Sequence, residues 1–368
     1  MNSELEHKTE RLQRMLVEND LGGVMLNTQH NFAWLTGGAS NGIDLTRENG
    51  AGFLFVAVNG KRYVIANNIE MPRLLSEEIS EAEFQPIEVD WQAERDPQTI
   101  ITAAQSVAPG AFGSDIGFPE TRWIEPSIAA CRFQLTPQED ERFRRLGSDA
   151  GTALQNVIPR LETGQSEKQI ARIVRDELAA FDIFSVVTLV AADDRISSYR
   201  HPVATGKVWK DTLLIVACAR RNGLIASLSR MICAGDVPAN LQRRTEACAA
   251  VNADLYNATV EGTVSSQLYK IAADAYATQG FGDEINKHHQ GGACGYRTRD
   301  WVAHPSSDDV VNTNQAFAWN PSITGTKTEE TGILTENGFE VITASDAFPT
   351  ILSVINGREF VSPGILSL

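Results

Sequence analysis

A short, glycine-rich stretch of the chain carries an unusual density of groups that could do chemistry. Residues 287–301 (KHHQGGACGYRTRDW) hold His288, His289, Arg299 and Asp300 together with three glycines. Glycine allows positive φ angles and a close approach of other backbone. Titratable side chains beside such glycines indicate a ligand-lined loop rather than core. The alternative is a glycine-rich turn with solvated charges, which is the commoner meaning of such a stretch.

Three further candidate groups lie elsewhere in the chain. Asn320 and Glu329 occur in apolar, strand-like surroundings, where a buried amide or carboxylate needs a partner. His201 lies in the segment Tyr199-Arg200-His201-Pro202. An imidazole with a pKa near neutrality can accept and return a proton, a step worth about 10²–10⁴-fold in rate. These residues therefore point to acid/base chemistry on a substrate with a cationic group, which Glu329 would bind or polarise.

The elements that must position these groups divide the chain in two. The sequence Thr136-Pro137-x-Glu139 has the N-cap, N1 and N3 residues of a helix start. We therefore predict an α/β domain over residues 1–134, which includes a hairpin through Asn59-Gly60, and a second domain over residues 135–368. In the second domain, two long helix pairs separated by strands indicate an α+β architecture.

Strands are predicted around most of the candidate residues. A hairpin joins strands at 213–219 and 224–233 through Asn222-Gly223, and further strands are expected near residues 315–319, 327–334 and 339–342.

The bulk properties narrow the class of protein. A chain of 368 residues with a net charge of −15 argues against nucleic acid or an anionic membrane as the main partner. The five cysteines are odd in number and contain no Cys-x-x-Cys, so reduced thiols and a cytoplasmic location are expected. The polar N-terminus is not typical of a signal peptide. No run of apolar residues approaches the ~20 residues that a membrane-spanning helix needs.

The order of motifs resembles the creatinase / aminopeptidase P / prolidase family, peptidase family M24. The chain has His-His-x-Gly-x-x-x-Gly from His288, an apolar strand ending in Asn320-Pro321, and Glu-Glu-Thr before Leu-Thr-Glu-Asn-Gly. The N-terminal segment 31–37 (NFAWLTG) is similar to the family's Asn-x-x-Tyr-Leu-Thr-Gly. The resemblance covers nearly the whole chain. It implies a small N-terminal creatinase-like domain, a C-terminal catalytic domain with the pita-bread fold, and a homodimer.

The resemblance also implies where metal ligands would lie. Metal-dependent members of the family bind two metal ions with two Asp, one His and two Glu, and the corresponding positions here are occupied by Ala217, Ser227, Gly292, Asn320 and Glu329. Divalent metal ions need at least three N, O or S donors, so one carboxylate cannot hold two ions. We therefore predict that the protein uses no metal cofactor. The alternative is a single metal ion bound through other residues, His288 and His289 among them.

Creatinase works without metal, and the chain resembles it in keeping His201 and Glu329. Arg299-Asp300 replaces a family His and its acidic neighbour, and the planar guanidinium of an arginine suits a carboxylate. We therefore predict a metal-independent, creatinase-like hydrolase that cleaves a C–N bond in a small zwitterionic, amino-acid-like substrate. His201 and Glu329 would be catalytic. The expected substrate-binding residues are Arg299, Asp300, His288, His289, Asn320, Tyr199 and Arg230.

Two other functions remain open at this level. One is an Xaa-Pro dipeptidase or aminopeptidase that binds metal through atypical ligands. The other is a non-catalytic pita-bread module that binds peptide or protein. For single residues, His201 could simply stack on Pro202, Glu329 could form a structural salt bridge, and Cys294 could be either a nucleophile or a small buried hydrophobe.

Overall fold

The computed structural model describes residues 3–368, which divide into two compact units. The division lies between Arg132 and Phe133, close to the boundary that the sequence predicts after residue 134. Each unit has its own sheet and its own buried apolar cluster.

The first unit is built on a six-stranded mixed sheet. Its strands are β1 (Gly23–Thr28), β2 (Asn49–Ala57), β3 (Arg62–Asn67), β4 (Gln85–Val89), β5 (Phe112–Ser114) and β6 (Thr121–Trp123). Their order in the sheet is β4-β3-β2-β1-β5-β6. The β1–β2 and β2–β3 pairs are antiparallel, and the other pairs are parallel.

Helices complete this unit and follow from local signals in the sequence. They are α1 (Ser3–Glu18), α2 (Gln29–Thr36), α3 (Met71–Arg73, continued by a wider turn, Leu74–Glu78), α4 (Pro97–Gln105) and α5 (Glu125–Arg132). Helix α2 contains the family-like segment: Trp34 and Leu35 are buried, and Gly37 ends the helix with a φ of 76°. Asn31 donates to Asp115 Oδ2 at 3.0 Å.

The helices of the second unit begin with the predicted capping box. The Glu139 N–H donates to Thr136 Oγ1 at 3.3 Å, and the Thr136 N–H donates to the Glu139 carboxylate at 2.8 Å. The helices are α6 (Pro137–Val157), α7 (Glu167–Ala179), α8 (Asp194–Ser198), α9 (Ala239–Ala258) and α10 (Ser265–Thr278). A helix long and apolar enough to span a bilayer does not occur within residues 3–368.

The second unit contains two four-stranded sheets and two short hairpins. Its strands are β7 (Phe184–Ala192), β8 (Thr212–Arg221), β9 (Leu224–Cys233), β10 (Gly291–Cys294), β11 (Ala316–Trp319), β12 (Ser322–Ile323), β13 (Thr326–Lys327), β14 (Glu330–Thr335), β15 (Gly338–Val341), β16 (Thr350–Ile355), β17 (Arg358–Pro363) and β18 (Ile365–Ser367). The sheets have the orders β18-β9-β8-β7 and β10-β11-β14-β15. Pairs β12–β13 and β16–β17 form the hairpins.

Strand β9 connects the two four-stranded sheets. The Ser229 N–H donates to the Glu329 carbonyl at 3.0 Å, and the Ser227 N–H donates to Thr331 Oγ1 at 2.7 Å. These bonds place the strand that carries Ser229 directly beside the residues around Glu329. The candidate site is built at this junction.

Two local expectations differ from the structure. The strand predicted near 327–334 is interrupted, because β13 ends at Lys327 and β14 begins at Glu330. The glycine-rich stretch, expected to be a loop, contains strand β10, in which a Cβ on Gly291 would lie 2.1 Å from the Ala318 carbonyl oxygen. The glycines therefore serve close strand packing as well as a turn.

Candidate active site

Three imidazoles from two loops converge in the second unit. His201 lies in the loop after α8, and His288 and His289 directly precede β10. The Nε2 atoms of His201 and His288 are 3.2 Å apart. One ring nitrogen from each of the three residues lies within 4.8 Å of the others. The structure therefore brings together all three histidines that the sequence predicts for the site.

The orientation of His288 is set by neighbouring polar groups. Its Nδ1 lies 3.2 Å from Ser322 Oγ, a hydroxyl that can accept the Nδ1–H. With the proton on Nδ1, the lone pair of Nε2 points at His201, a tautomer inferred from the hydrogen-bond network. Gln290 Nε2 donates to the backbone carbonyl of His288, and Tyr276 donates to Gln290 Oε1 at 2.7 Å.

The three imidazoles are neutral at ordinary pH. Burial, together with the charge of Lys327, lowers the pKa of His288 to about 2. Burial and the charge of Arg299 lower the pKa of His289 to about 4. Partial burial and the charge of Lys327 also lower the pKa of His201. His201 and His289 are nevertheless partly exposed to solvent. Their ring nitrogens are thus available as lone-pair donors.

Beside the histidines lies a buried ion cluster, which we define as Lys327, Glu329 and Arg299. Lys327 Nζ lies 2.8 Å from Glu329 Oε2, and Arg299 Nη2 lies 3.2 Å from Glu329 Oε1. Ser229 Oγ donates to Glu329 Oε2 at 2.6 Å. Burial alone would raise the pKa of Glu329, but the two cations outweigh it and lower that pKa to about 2. Glu329 is therefore ionised and has polar partners on both carboxylate oxygens.

Lys327 is the site residue that sequence reasoning missed. Its side chain is only 5 % exposed. A lysine is almost never fully buried unless it is paired. The signal was its position two residues before Glu329, since alternate residues of an extended chain face the same side.

Buried polar atoms without a hydrogen-bond partner within residues 3–368 include Arg299 Nε, Thr328 Oγ1 and Asn320 Oδ1. Asn320 is held by its backbone, whose N–H donates to the Gln290 carbonyl at 3.0 Å, and its side chain is buried. Unpartnered buried polar atoms are uncommon and mark places where a ligand or water can bind.

The remaining predicted substrate-binding residues make other contacts. Arg230 is buried, lies 2.9 Å from the Glu330 carboxylate and donates to the Thr343 carbonyl at 2.7 Å. Together with Glu330 it lines a separate cavity of about 220 Å³. Tyr199 is 54 % exposed and stacks against Arg195. The Asp300 N–H donates to the Ala293 carbonyl at 2.8 Å. Substrate binding by Arg230, Tyr199 and Asp300 stays a prediction.

Cys294 is buried in strand β10. Burial raises the pKa of its thiol to about 12. The thiol is therefore protonated at neutral pH, which favours the role of a small apolar side chain over that of a nucleophile.

The five positions to which the resemblance assigns metal ligands do not offer a donor set for two metal ions. Ala217 and Ser227 are fully buried, and Ser227 Oγ donates to Cys218 Sγ at 3.3 Å. At Gly292 a Cβ would lie 2.1 Å from the Trp301 carbonyl oxygen, so a histidine cannot enter without moving the backbone. Glu329, the one carboxylate of the set, is engaged by Lys327 and Arg299.

Comparison with known proteins identifies the relatives of this chain. The profile of "Metallopeptidase family M24" matches residues 141–343. A Xaa-Pro dipeptidase of Pyrococcus furiosus is 22% identical over 361 residues, which cover 93% of this chain and 99% of the relative. These matches confirm the resemblance that the motifs indicated, and with it the prediction that the chain is a hydrolase.

Solved structures share the fold. Dipeptidase PepE from Mycobacterium ulcerans has a TM-score of 0.79 at 13% identity, covering 100% of this chain and 99% of its own. The prolidase from Pyrococcus horikoshii OT3 has a TM-score of 0.76 at 16% identity, covering 92% of this chain and 98% of its own. They confirm an N-terminal domain followed by a C-terminal domain with the pita-bread fold.

The prediction that the protein uses no metal cofactor is wrong, because the matching family is one of metallopeptidases. That prediction rested on the five family positions, with a single ion bound through other residues as its alternative. The side chains at the five positions do not fit two metal ions. Among the histidine, cysteine and acidic side chains of residues 3–368, a group close enough to share one ion is formed by His201, His288 and His289.

Proposed function

Because the chain belongs to metallopeptidase family M24, we propose that it hydrolyses a C–N bond in a small zwitterionic peptide, with Xaa-Pro dipeptides as the substrate class. The proposal is supported by the Pyrococcus furiosus relative, which is matched over nearly its whole length and is a Xaa-Pro dipeptidase. The metal-independent reaction expected from the sequence is not part of it. A purely binding role has no specific observation in its favour.

The observation that carries the proposal is the buried ion cluster beside the imidazoles. Lys327 and Arg299 bring two positive charges to a single carboxylate, Glu329. An uncompensated buried charge is costly, so an anionic substrate group that enters here would be stabilised. Arg299 Nε has no partner within the described part of the chain, and a guanidinium binds a carboxylate through two parallel bonds. The cluster therefore suits the terminal carboxylate of a dipeptide.

This arrangement changes the role that we assign to Glu329. The sequence predicts that it binds or polarises a cationic nitrogen of the substrate. In the structure Lys327 and Arg299 already provide its counter-charges, and a substrate ammonium would have to displace one of them. In the proposal, Glu329 holds the two cations in place for the substrate carboxylate.

The imidazoles provide the reactive side of the proposed site. Their lowered pKa values leave them unprotonated at neutral pH, so they can accept a proton or bind an electrophilic centre. The acid/base role of His201 that the sequence predicts requires that its Nε2 lone pair stay free.

The test measures the release of proline from Xaa-Pro dipeptides and of prolinamide from the same peptides with an amidated C-terminus. Protein is assayed after supplementation with Zn²⁺, Mn²⁺ or Co²⁺ in turn. A charge-assisted hydrogen bond contributes about 1.5–3 kcal/mol, so kcat/KM for the amide should be about tenfold to 150-fold lower. Arg299→Met should lower kcat/KM for the acid by a similar factor and have little effect on the amide.

The matched control is Arg145→Met, which removes an exposed arginine of helix α6 that pairs with Glu141. It should leave both rates unchanged. If no dipeptide is cleaved under any of the metal conditions, the proposed activity is rejected. If acid and amide are cleaved equally well, the assignment of the substrate carboxylate to the ion cluster is rejected.

A further inference from the structure

We infer that His201, His288 and His289 bind one divalent transition-metal ion, with Zn²⁺ as the best match. The inference goes beyond the family resemblance, because none of the three residues occupies one of the five positions to which the resemblance assigns metal ligands. It rests on the side chains themselves and does not depend on the proposed substrate.

The spacing of the ring nitrogens is the first argument. With Zn–N bonds of 2.0–2.1 Å, two ligands of a tetrahedral site lie about 3.3–3.4 Å apart. The Nε2 atoms of His201 and His288 are 3.2 Å apart, which corresponds to one edge of such a tetrahedron. A ring nitrogen of His289 lies within 4.8 Å of a ring nitrogen of each of the other two histidines, so a shift of about 1.5 Å would bring it to the tetrahedral distance. His289 is exposed, which favours such a movement.

The support of His288 by a second contact is the next argument. A metal-bound histidine nearly always donates its other ring N–H to an acceptor, which fixes the tautomer and the ring orientation. Ser322 Oγ lies 3.2 Å from Nδ1 of His288 and is thus placed to accept this bond. Ser322 is itself held, since its backbone N–H donates to the Tyr276 hydroxyl at 2.8 Å. Nε2 of His288 is thereby directed at His201 before any metal binds.

The number and type of ligands select the metal. Imidazole nitrogen suits zinc, copper, nickel and cobalt, whereas magnesium, calcium and manganese prefer oxygen. Three protein ligands leave a fourth position open, as in catalytic zinc sites. A zinc ion bound in this way lowers the pKa of a water molecule toward neutrality. Since the metal takes the Nε2 lone pair of His201, a ligand role replaces the acid/base role predicted for that residue.

The neighbouring charges oppose the metal in part. Lys327 and Arg299 lie close enough to lower the pKa values of the histidines, and they repel a dication for the same reason. Glu329 offsets one of these two charges. Removal of Lys327 should therefore tighten metal binding several-fold, an effect that a site remote from the ion cluster would not show.

The experiment measures metal binding directly. Chelator-treated protein is titrated with Zn²⁺ by calorimetry, the bound metal is counted after gel filtration, and Co²⁺ is used as an optical probe of coordination. We expect one ion per chain and a tetrahedral Co²⁺ spectrum. His201→Ala and His288→Ala should each weaken Zn²⁺ binding at least tenfold, and Ser322→Ala should weaken it about tenfold to 100-fold.

The matched control is His304→Ala. His304 is an exposed histidine whose ring contacts Ser306 in its own loop, and its removal should leave Zn²⁺ binding unchanged. Less than about 0.2 Zn²⁺ per chain in the wild-type protein at micromolar free metal, a value well below one site per chain, would overturn the inference. Equal affinities in the wild type, His201→Ala and His288→Ala would do the same.

A folding defect in one variant does not obscure the result, because the metal stoichiometry and the Co²⁺ spectrum are measured on the wild-type protein. The outcome is also separable from the proposed activity. Stoichiometric zinc without dipeptide cleavage supports the metal site and rejects the substrate. If the protein cleaves the dipeptide while no metal is bound to these histidines, the metal site is rejected and the substrate proposal is retained.

Discussion

Lys327→Met is the change that tests the buried ion cluster most directly. Methionine keeps most of the volume of the lysine side chain but removes the charge that lies 2.8 Å from Glu329. The carboxylate keeps Arg299 at 3.2 Å and Ser229 at 2.6 Å as partners. The substitution therefore isolates one cation without emptying the site.

The magnitude follows from the pKa of Glu329. Despite the opposing effect of burial, its cationic partners lower that pKa from 4.5 to about 2. At 1.36 kcal/mol per pKa unit, this difference corresponds to about 3 kcal/mol of stability at neutral pH. Breaking a buried ion pair from one side costs about 3–5 kcal/mol. Because Arg299 and Ser229 remain, we expect a loss of about 3 kcal/mol in the free energy of unfolding at pH 7.

The pH dependence has a defined sign. The folded-state pKa of Glu329 lies below its unfolded value of 4.5, so its contribution to stability is present above pH 4.5 and is lost as the pH falls toward 2. The difference in stability between wild type and Lys327→Met should therefore be largest above pH 5 and shrink in more acidic solution.

The assay is urea unfolding at 25 °C, with the transitions of the two units fitted separately. A double-mutant cycle with Glu329→Gln provides the control, since each single change leaves uncompensated charge and the double change removes the Lys327–Glu329 pair. We expect a coupling energy of about 2–3 kcal/mol. A coupling below about 0.5 kcal/mol, a value typical of exposed pairs, would refute the buried pair and with it the reasoning on substrate charge.

Two further changes test the packing of the site and the electrostatics of the first unit. Gly292→Ala should lower the free energy of unfolding by about 1–3 kcal/mol, because its Cβ would lie 2.1 Å from a backbone oxygen; an unchanged melting temperature would show that this segment moves freely. Glu125→Gln should reduce the acid sensitivity of the first unit between pH 4.5 and 2, measured by urea midpoints. Burial would raise the pKa of Glu125, but hydrogen bonding with His30 and the charge of Arg132 lower it to about 2, so its stabilisation is present above pH 4.5 and lost below. A Glu125→Gln variant with the same acid midpoints as wild type would contradict this.

Local sequence signals determined many of the secondary-structure elements. The capping box of Thr136 and Glu139 started helix α6 where it was predicted, and the Asn222-Gly223 turn joined strands β8 and β9. Such signals depend on neighbouring residues alone. The order of motifs along the chain was also enough to identify the family and the fold class, which the comparisons confirmed.

Elements that depend on distant partners were less accessible from the sequence. Strands β16 to β18 at the C-terminal end were not predicted, and β18 forms because it pairs in parallel with β9, over 130 residues earlier in the chain. Strand β10 was predicted to be a loop, because glycines are typical of turns. In the structure they allow the close approach of β11, which the sequence does not reveal. Pairing between remote segments has no local signature.

The sequence by itself supplied the residue types of the site: three histidines, an arginine and a carboxylate in a chain with the motifs of a metallopeptidase family. Only the tertiary structure decided which of them meet. Strand β9 brings Ser229 to Glu329, and two loops bring His201 to His288. The prediction of no metal was overturned by membership of a metallopeptidase family. Which donors lie close enough to share an ion is decided by folding and not by position along the chain. Charge and pKa are decided in the same way, since they depend on burial and on neighbours such as Lys327 that folding alone places beside the carboxylate.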